Sequence, residues 1–162
     1  EWMFRGRPTL LGACSGAVAG LVCITPASGH VTAMPAMIMG LAAGVVCYVA
    51  CSSVKNALRY DDSLDAFGVH GVGGTLGAIL TGVFATRAVN DVAGGEKLGA
   101  MEGGAILMGQ IAAVAVTCVF AVVATFILLK IIDVVIGLRA TQESEIRGLD
   151  VTLHGEEGYI NL

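Results

Sequence analysis

The chain has 162 residues, of which 56% are hydrophobic and only 14% charged, with a mean hydropathy of +0.81. Ordinary soluble domains carry roughly a quarter charged residues, so this composition points away from a soluble globule and towards an integral membrane protein. The formal net charge of −4 is spread over loops and tail, and with no basic cluster present nucleic acid is not an expected partner.

Residues Pro8 to Val54 contain no Asp, Glu, Lys or Arg. Such a run is too long for one span of about 20 residues and about right for two. TPASGH, Thr25 to His30, supplies the break, because Pro26 lacks a backbone donor and Ser28 and Gly29 form turns. A first helix is therefore predicted over 8–25 and a second over 34–54, with Pro35 in its first turn, where a missing N–H does no harm. Gly12, Gly16 and Gly20 recur every fourth residue in the first helix, and Gly40 and Gly44 repeat the spacing in the second. These read as faces for close helix packing, not as a phosphate cradle, since no strand precedes them.

A polar link, KNALRYDD, leads to a third helix predicted over 63–85, with Asp61, Asp62 or Ser63 as its N-cap. Residues 87–102 form a glycine-rich polar loop, and a fourth helix over 103–136 stays uncharged until Lys130. At 1.5 Å per residue it reaches about 45 Å, more than the roughly 30 Å hydrocarbon core, so it should tilt or emerge. The expected division is a transmembrane region over 1–138 and a soluble tail over 139–162. If the helices alternate, Arg5, Arg7, Lys55, Arg59, Lys130, Arg139 and Arg147 share one side and leave Arg87 and Lys97 on the other. The positive-inside rule makes the first side, with the tail, cytoplasmic.

Twenty-three glycines suit tight packing in lipid. The five cysteines, Cys14, Cys23, Cys47, Cys51 and Cys118, lie within apolar runs without paired spacing, and read as small packing residues, not a disulfide framework or zinc site. The chain opens on Glu1 without a charged leader and cleavage site, and is expected to be one part of something larger.

One residue calls for chemistry. His70, in DDSLDAFGVHGVGG (61–74), lies about 10 Å along the third helix by helical rise, inside the apolar region. Intramembrane ionisable groups are costly and mark substrate or proton paths; the alternative is a histidine hydrogen-bonded to a neighbouring helix for structure alone. A neutral imidazole offers one donor and one acceptor, which suits passing a small polar molecule or relaying a proton. Asp61, Asp62 and Asp65 form an acidic cluster just before it, a cation funnel or, as the favoured reading, a helix cap with structural hydrogen bonds. His30 and His154 read as solvated. No HExxH, GxSxG or Walker loop occurs, so neither an enzyme nor a metal or cofactor site is expected.

Four stretches, LLGACSGAVAGLVCITPASG (10–29), DDSLDAFGVHGVGG (61–74), GLR (137–139) and RGLDVTLHGEEGY (147–159), resemble the C-terminal part of the ammonium transporter (Amt) family, in its microbial or plant-type branch. The resemblance implies an all-α polytopic membrane protein, with about four of the eleven transmembrane helices of that fold, assembled as a homotrimer in the plasma or inner membrane. It implies ammonium binding outside, deprotonation and passage of neutral ammonia along an apolar pore. His70 matches the second of two pore histidines; the first, with the external residues that recruit ammonium, has no counterpart here. Ala66 matches a pore-lining apolar position, Thr25 a threonine near the pore, and the acidic cluster a mainly structural feature. Arg147, Gly148, Leu149, Asp150, His154, Gly155, Glu156 and Tyr159 match the cytoplasmic segment that transmits regulation and meets PII-type signalling proteins. An ammonium sensor using the same pore fold is the alternative.

Overall fold

Each long apolar run becomes a helix, bounded where the chain offers a cap or a left-handed residue. The computed structural model describes residues 1–2, 6–91 and 96–157; Arg5 and Tyr159 lie outside them. Helix α1 spans Leu10–Ala27, α2 Ala33–Leu58, α3 Phe67–Phe84 and α4 Ile106–Val135, all four long and apolar enough to cross a membrane. A short helix α5 covers Gln142–Arg147. No strand occurs among the described residues.

Thr9 caps α1, its hydroxyl accepting from the Gly12 amide at 3.0 Å. The helix tightens into a 3₁₀ turn over Thr25–Ala27 and ends before Gly29, at φ 76°. The boundaries differ from the sequence expectation in all four helices, α1 lying two residues later at each end, Leu10–Ala27 against 8–25. Helix α2 continues through KNAL to Leu58 and stops at Arg59, which adopts a left-handed φ of 53°. Helix α3 starts at Phe67 instead of 63, because Asp65, at φ 54°, is incompatible with a helix running through it. Helix α4 starts at Ile106, after the 3₁₀ turn Ala100–Glu102 is closed by Gly103 at φ 84°.

The chain falls into two compact units, Glu1–Thr117 and Cys118–Leu162. In the first, α1 and α3 run parallel with α2 antiparallel to both, as the close approaches show. A Cβ on Gly77 of α3 would stand 2.1 Å from the Cys23 carbonyl oxygen of α1, and one on Gly73 would stand 3.1 Å from Cys47 Sγ of α2. The core is built of small residues around one methionine: Cys23, Ala27, Met39 and Ala43 are fully buried, with Leu76, Leu80 and Phe84 against them. Ala19, Cys47 and Val69 form a second cluster. All five cysteines are free thiols.

The four-residue glycine spacing of α1 and α2 is not where most of the contact lies. A Cβ on Gly20 would stand 4.0 Å from Gly40 Cα, whereas Cβ atoms on Gly16, Gly40 and Gly44 would meet nothing within 4 Å. Between helices, the closest approaches are made by glycines of α3, whereas Gly12 of α1 meets the Glu1 carboxylate. In the second unit, Thr141 caps α5 by accepting from the Ser144 amide at 3.2 Å, and Arg139 grips the Glu145 carboxylate through Nε at 2.8 Å and Nη2 at 3.2 Å.

Candidate functional site

The polar turn between α2 and α3 is held by its own acidic residues. Asp62 accepts through Oδ1 from the Ala66 amide and through Oδ2 from the Phe67 amide, each at 2.9 Å. Both amides belong to the first turn of α3 and would otherwise lack partners. Asp65 binds Lys55 Nζ at 2.7 Å, and the same ammonium donates to the Asp62 carbonyl. Asp62 and Asp65 therefore do structural work, while Asp61 is exposed. Tyr60 packs edge-on against Phe67, ring centroids 5.7 Å apart. Its hydroxyl is shielded from solvent with no partner among the described residues, and burial, with the Asp62 carboxylate nearby, raises its pKa above the usual phenol value.

Beyond this turn α3 opens with a π turn, Phe67–Gly71, that contains His70. Gly68 and Val69 are buried against α2 and α1, and His70, the next residue, is exposed. Its ring has no hydrogen-bond partner among the described residues. Ala66 and Thr25 are also exposed. Thr25 Oγ1 donates back to the Leu21 carbonyl at 2.6 Å, a local bond that occupies its hydroxyl. With Cys23 level with Gly77, Thr25 lies roughly 13 Å further along the parallel helices than His70. The structure brings Ala66 and His70 onto neighbouring turns and leaves Thr25 at the opposite end.

An open groove of about 840 Å³ runs between α1 and α2 and reaches Asp65 in the turn before α3 and Val69 within it. None of His70, Ala66 and Thr25 lines it. At the opposite end, the Glu102 carboxylate accepts from the Leu98 amide at 3.1 Å, the Arg87 amide at 3.2 Å and Thr86 Oγ1 at 3.1 Å. These bonds, led by the one from Leu98, hold its pKa below the ordinary glutamate value. This clasp, the Lys55 staple and the π turn at His70 were not foreseen from sequence. Lys55 ends a 47-residue charge-free run (Pro8–Val54), which was the available signal for the staple.

Among the predicted tail residues, Arg147 pairs with Glu143 at 3.8 Å. Gly148 and Gly155 take φ values of 97° and 67°, and the Asp150 carbonyl accepts from the Glu156 amide at 3.1 Å. Leu149 and His154 are exposed.

Four apolar helices, with a capped polar turn leading to a histidine within the third, define a multi-pass membrane protein. The profile of the Ammonium Transporter Family matches residues 1–159, and the chain belongs to that family. It is 51% identical over 160 residues to an ammonium transporter of Bacillus subtilis, covering 98% of this chain and 39% of the relative. It is 41% identical over 162 residues to the ammonium transporter Amt1 of Archaeoglobus fulgidus, covering 98% of this chain and 40% of that protein. Among solved structures, Saccharomyces cerevisiae Mep2 superposes with a TM-score of 0.77 at 37% identity, covering 88% of this chain and 33% of Mep2. A structure described as a sensor Amt protein superposes with a TM-score of 0.78 at 29% identity, covering 94% of this chain and 36% of that one. The chain thus spans about 39% of the first of these relatives.

Proposed function

We propose that this chain is the C-terminal part of an ammonium transporter and supplies one wall of an apolar pore through which neutral ammonia passes His70. The observation that carries the reading is the placement of that ring. It sits within an apolar span, on the exposed side of a helix whose other side is packed, with an imidazole that nothing else described in the chain engages. Relatives named ammonium transporters supply the substrate. Desolvation supplies the chemistry: a bare ammonium ion in a narrow apolar conduit is very costly, whereas ammonia needs only a hydrogen-bond partner such as imidazole. In this reading a second histidine, on a segment outside this chain, completes the relay, and Ala66 lines the same wall. Thr25 lies near the outer end.

The assembly is read as a homotrimer in the plasma or inner membrane, with the C-terminus cytoplasmic and the tail from Arg147 to Glu156 as a docking site for a PII-type protein. The likeness to a sensor Amt protein favours one second reading, in which the same pore fold detects ammonium and signals. The test is His70→Ala in the full-length protein, with ammonium-evoked current and ion selectivity measured in vesicles. A strong loss of current or a change in selectivity is expected; unchanged current and selectivity would sink the pore assignment. Ammonium-dependent signalling without measurable flux would favour the sensor.

A further inference from the structure

His70 sits in a π turn, which holds one residue more than an α turn and so rotates the side chains within and beyond it relative to a continuous α-helix. A second π turn, Ala50–Val54, interrupts α2. The two turns meet at a single close approach. A Cβ on Gly68 would stand 2.4 Å from Cys51 Sγ, 3.2 Å from Cys51 N and 3.3 Å from Cys51 Cα, so the helices touch at this level only because residue 68 has no side chain. The connecting turn cannot easily take up a shift. Lys55, four residues beyond Cys51, is tied to Asp65 at 2.7 Å, and Asp62 holds the Ala66 and Phe67 amides. With its start pinned and its buried side against Cys51, α3 has one azimuth at residue 70.

We infer that the Cys51–Gly68 contact sets the direction in which His70 points, which makes Gly68 and Cys51 positioning residues for passage of ammonia past the imidazole. This rests on the pore reading of His70 given above. Neither residue touches the permeant. Adding one methyl group at position 68 requires Cys51 Sγ to swing aside and the Cys51 backbone to give by a few tenths of an ångström, two residues before the ring; since a displacement of about 1 Å at a working group costs up to roughly a hundredfold in rate, the smaller shift is worth severalfold.

The experiment measures ammonium-evoked current, with potassium as competing cation, for full-length protein in vesicles. The variants are Gly68→Ala, Gly68→Ala with Cys51→Gly, and His70→Ala. Gly68→Ala is expected to reach the membrane, to lower the maximal current by roughly three- to tenfold, to shift selectivity in the same direction as His70→Ala and to leave KM unchanged. Cys51→Gly in the same chain should restore most of the current, since it removes the nearest atom. Wild-type transport by Gly68→Ala, or a defect that Cys51→Gly does not relieve, overturns the proposal. If Gly68→Ala fails to accumulate, recovery of a functional protein by the double variant supports the contact, and absence of recovery overturns it. A wild-type His70→Ala removes the pore reading itself, whereas a defective His70→Ala beside a wild-type Gly68→Ala removes only the positioning role.

Discussion

Lys55 and Asp65 face each other across the turn between α2 and α3, Nζ to Oδ1 at 2.7 Å, with side chains 26% and 39% exposed. Asp65 holds a left-handed φ of 54°, a conformation that Asp and Asn tolerate better than most residues. Asp65→Asn therefore keeps the backbone and removes only the charge. Lys55→Met removes the ammonium that also donates to the Asp62 carbonyl. Thermal unfolding in detergent should show a lower midpoint for both variants, with the larger drop for Lys55→Met. A larger drop for Asp65→Asn would mean that the carbonyl bond contributes nothing.

Asp62 distinguishes a cap from a cation funnel. Its two carboxylate oxygens accept from the amides of Ala66 and Phe67 at 2.9 Å each, so Asp62→Ala should cost roughly 0.5–2 kcal/mol of stability. Asp62→Asn keeps one acceptor oxygen and should retain part of it. Ammonium current per folded molecule should be nearly unchanged in Asp62→Asn. A current that falls in proportion to the lost charge, at equal protein in the membrane, would restore the funnel reading.

The four spans were legible because each apolar run ends at a turn former: TPASGH, the acidic approach to α3 and the glycine-rich segment before α4. The glycine contacts were legible only in part. A four-residue repeat marks a smooth helix face but not what meets it, and Gly16 and Gly44 face open space in this chain. Gly68, Gly73 and Gly77 answer Cys51, Cys47 and Cys23, a pairing that needs the relative direction and depth of three helices. The π turns left no trace in the hydrophobic pattern, since i to i+5 bonding depends on neighbouring backbones and not on periodicity. The Glu102 clasp joins Thr86 and Arg87 to a residue 16 and 15 positions away, and no local signature marks it. His70 stood out because an ionisable ring within an apolar helix is costly wherever the rest of the fold lies.

Two glycines separate contact from composition. A Cβ on Gly77 would lie 2.1 Å from the Cys23 carbonyl oxygen and 2.9 Å from its carbon, both backbone atoms, whereas one on Gly16 would meet nothing within 4 Å. Backbone cannot swing aside as a side chain can, so Gly77→Ala should destabilise by about 1–3 kcal/mol through overpacking. Gly16→Ala should leave this chain's own packing intact. The amount of folded protein recovered from membranes, compared at two temperatures, measures the difference. Equal recovery of the two variants would show that α1 and α3 do not approach as closely as the structure places them.

Glu102 makes the loop between α3 and α4 sensitive to acid. Its carboxylate accepts from the Leu98 and Arg87 amides and the Thr86 hydroxyl, and its pKa lies below the ordinary glutamate value. A depressed acid binds its proton more weakly in the folded state than in the unfolded one. Its stabilisation is therefore fully present above the ordinary value, declines as pH falls below it, and is gone once pH has passed through the lowered folded value. Protonation leaves the Leu98 amide facing an acid that accepts less well, so exchange of the Leu98 and Arg87 amide protons, corrected for intrinsic rates, should accelerate across that window. Glu102→Gln carries no titrating group and should remove the pH dependence while leaving faster exchange throughout. Persistence of the acid-induced acceleration in Glu102→Gln would assign it to another carboxylate and free Glu102 from the clasp.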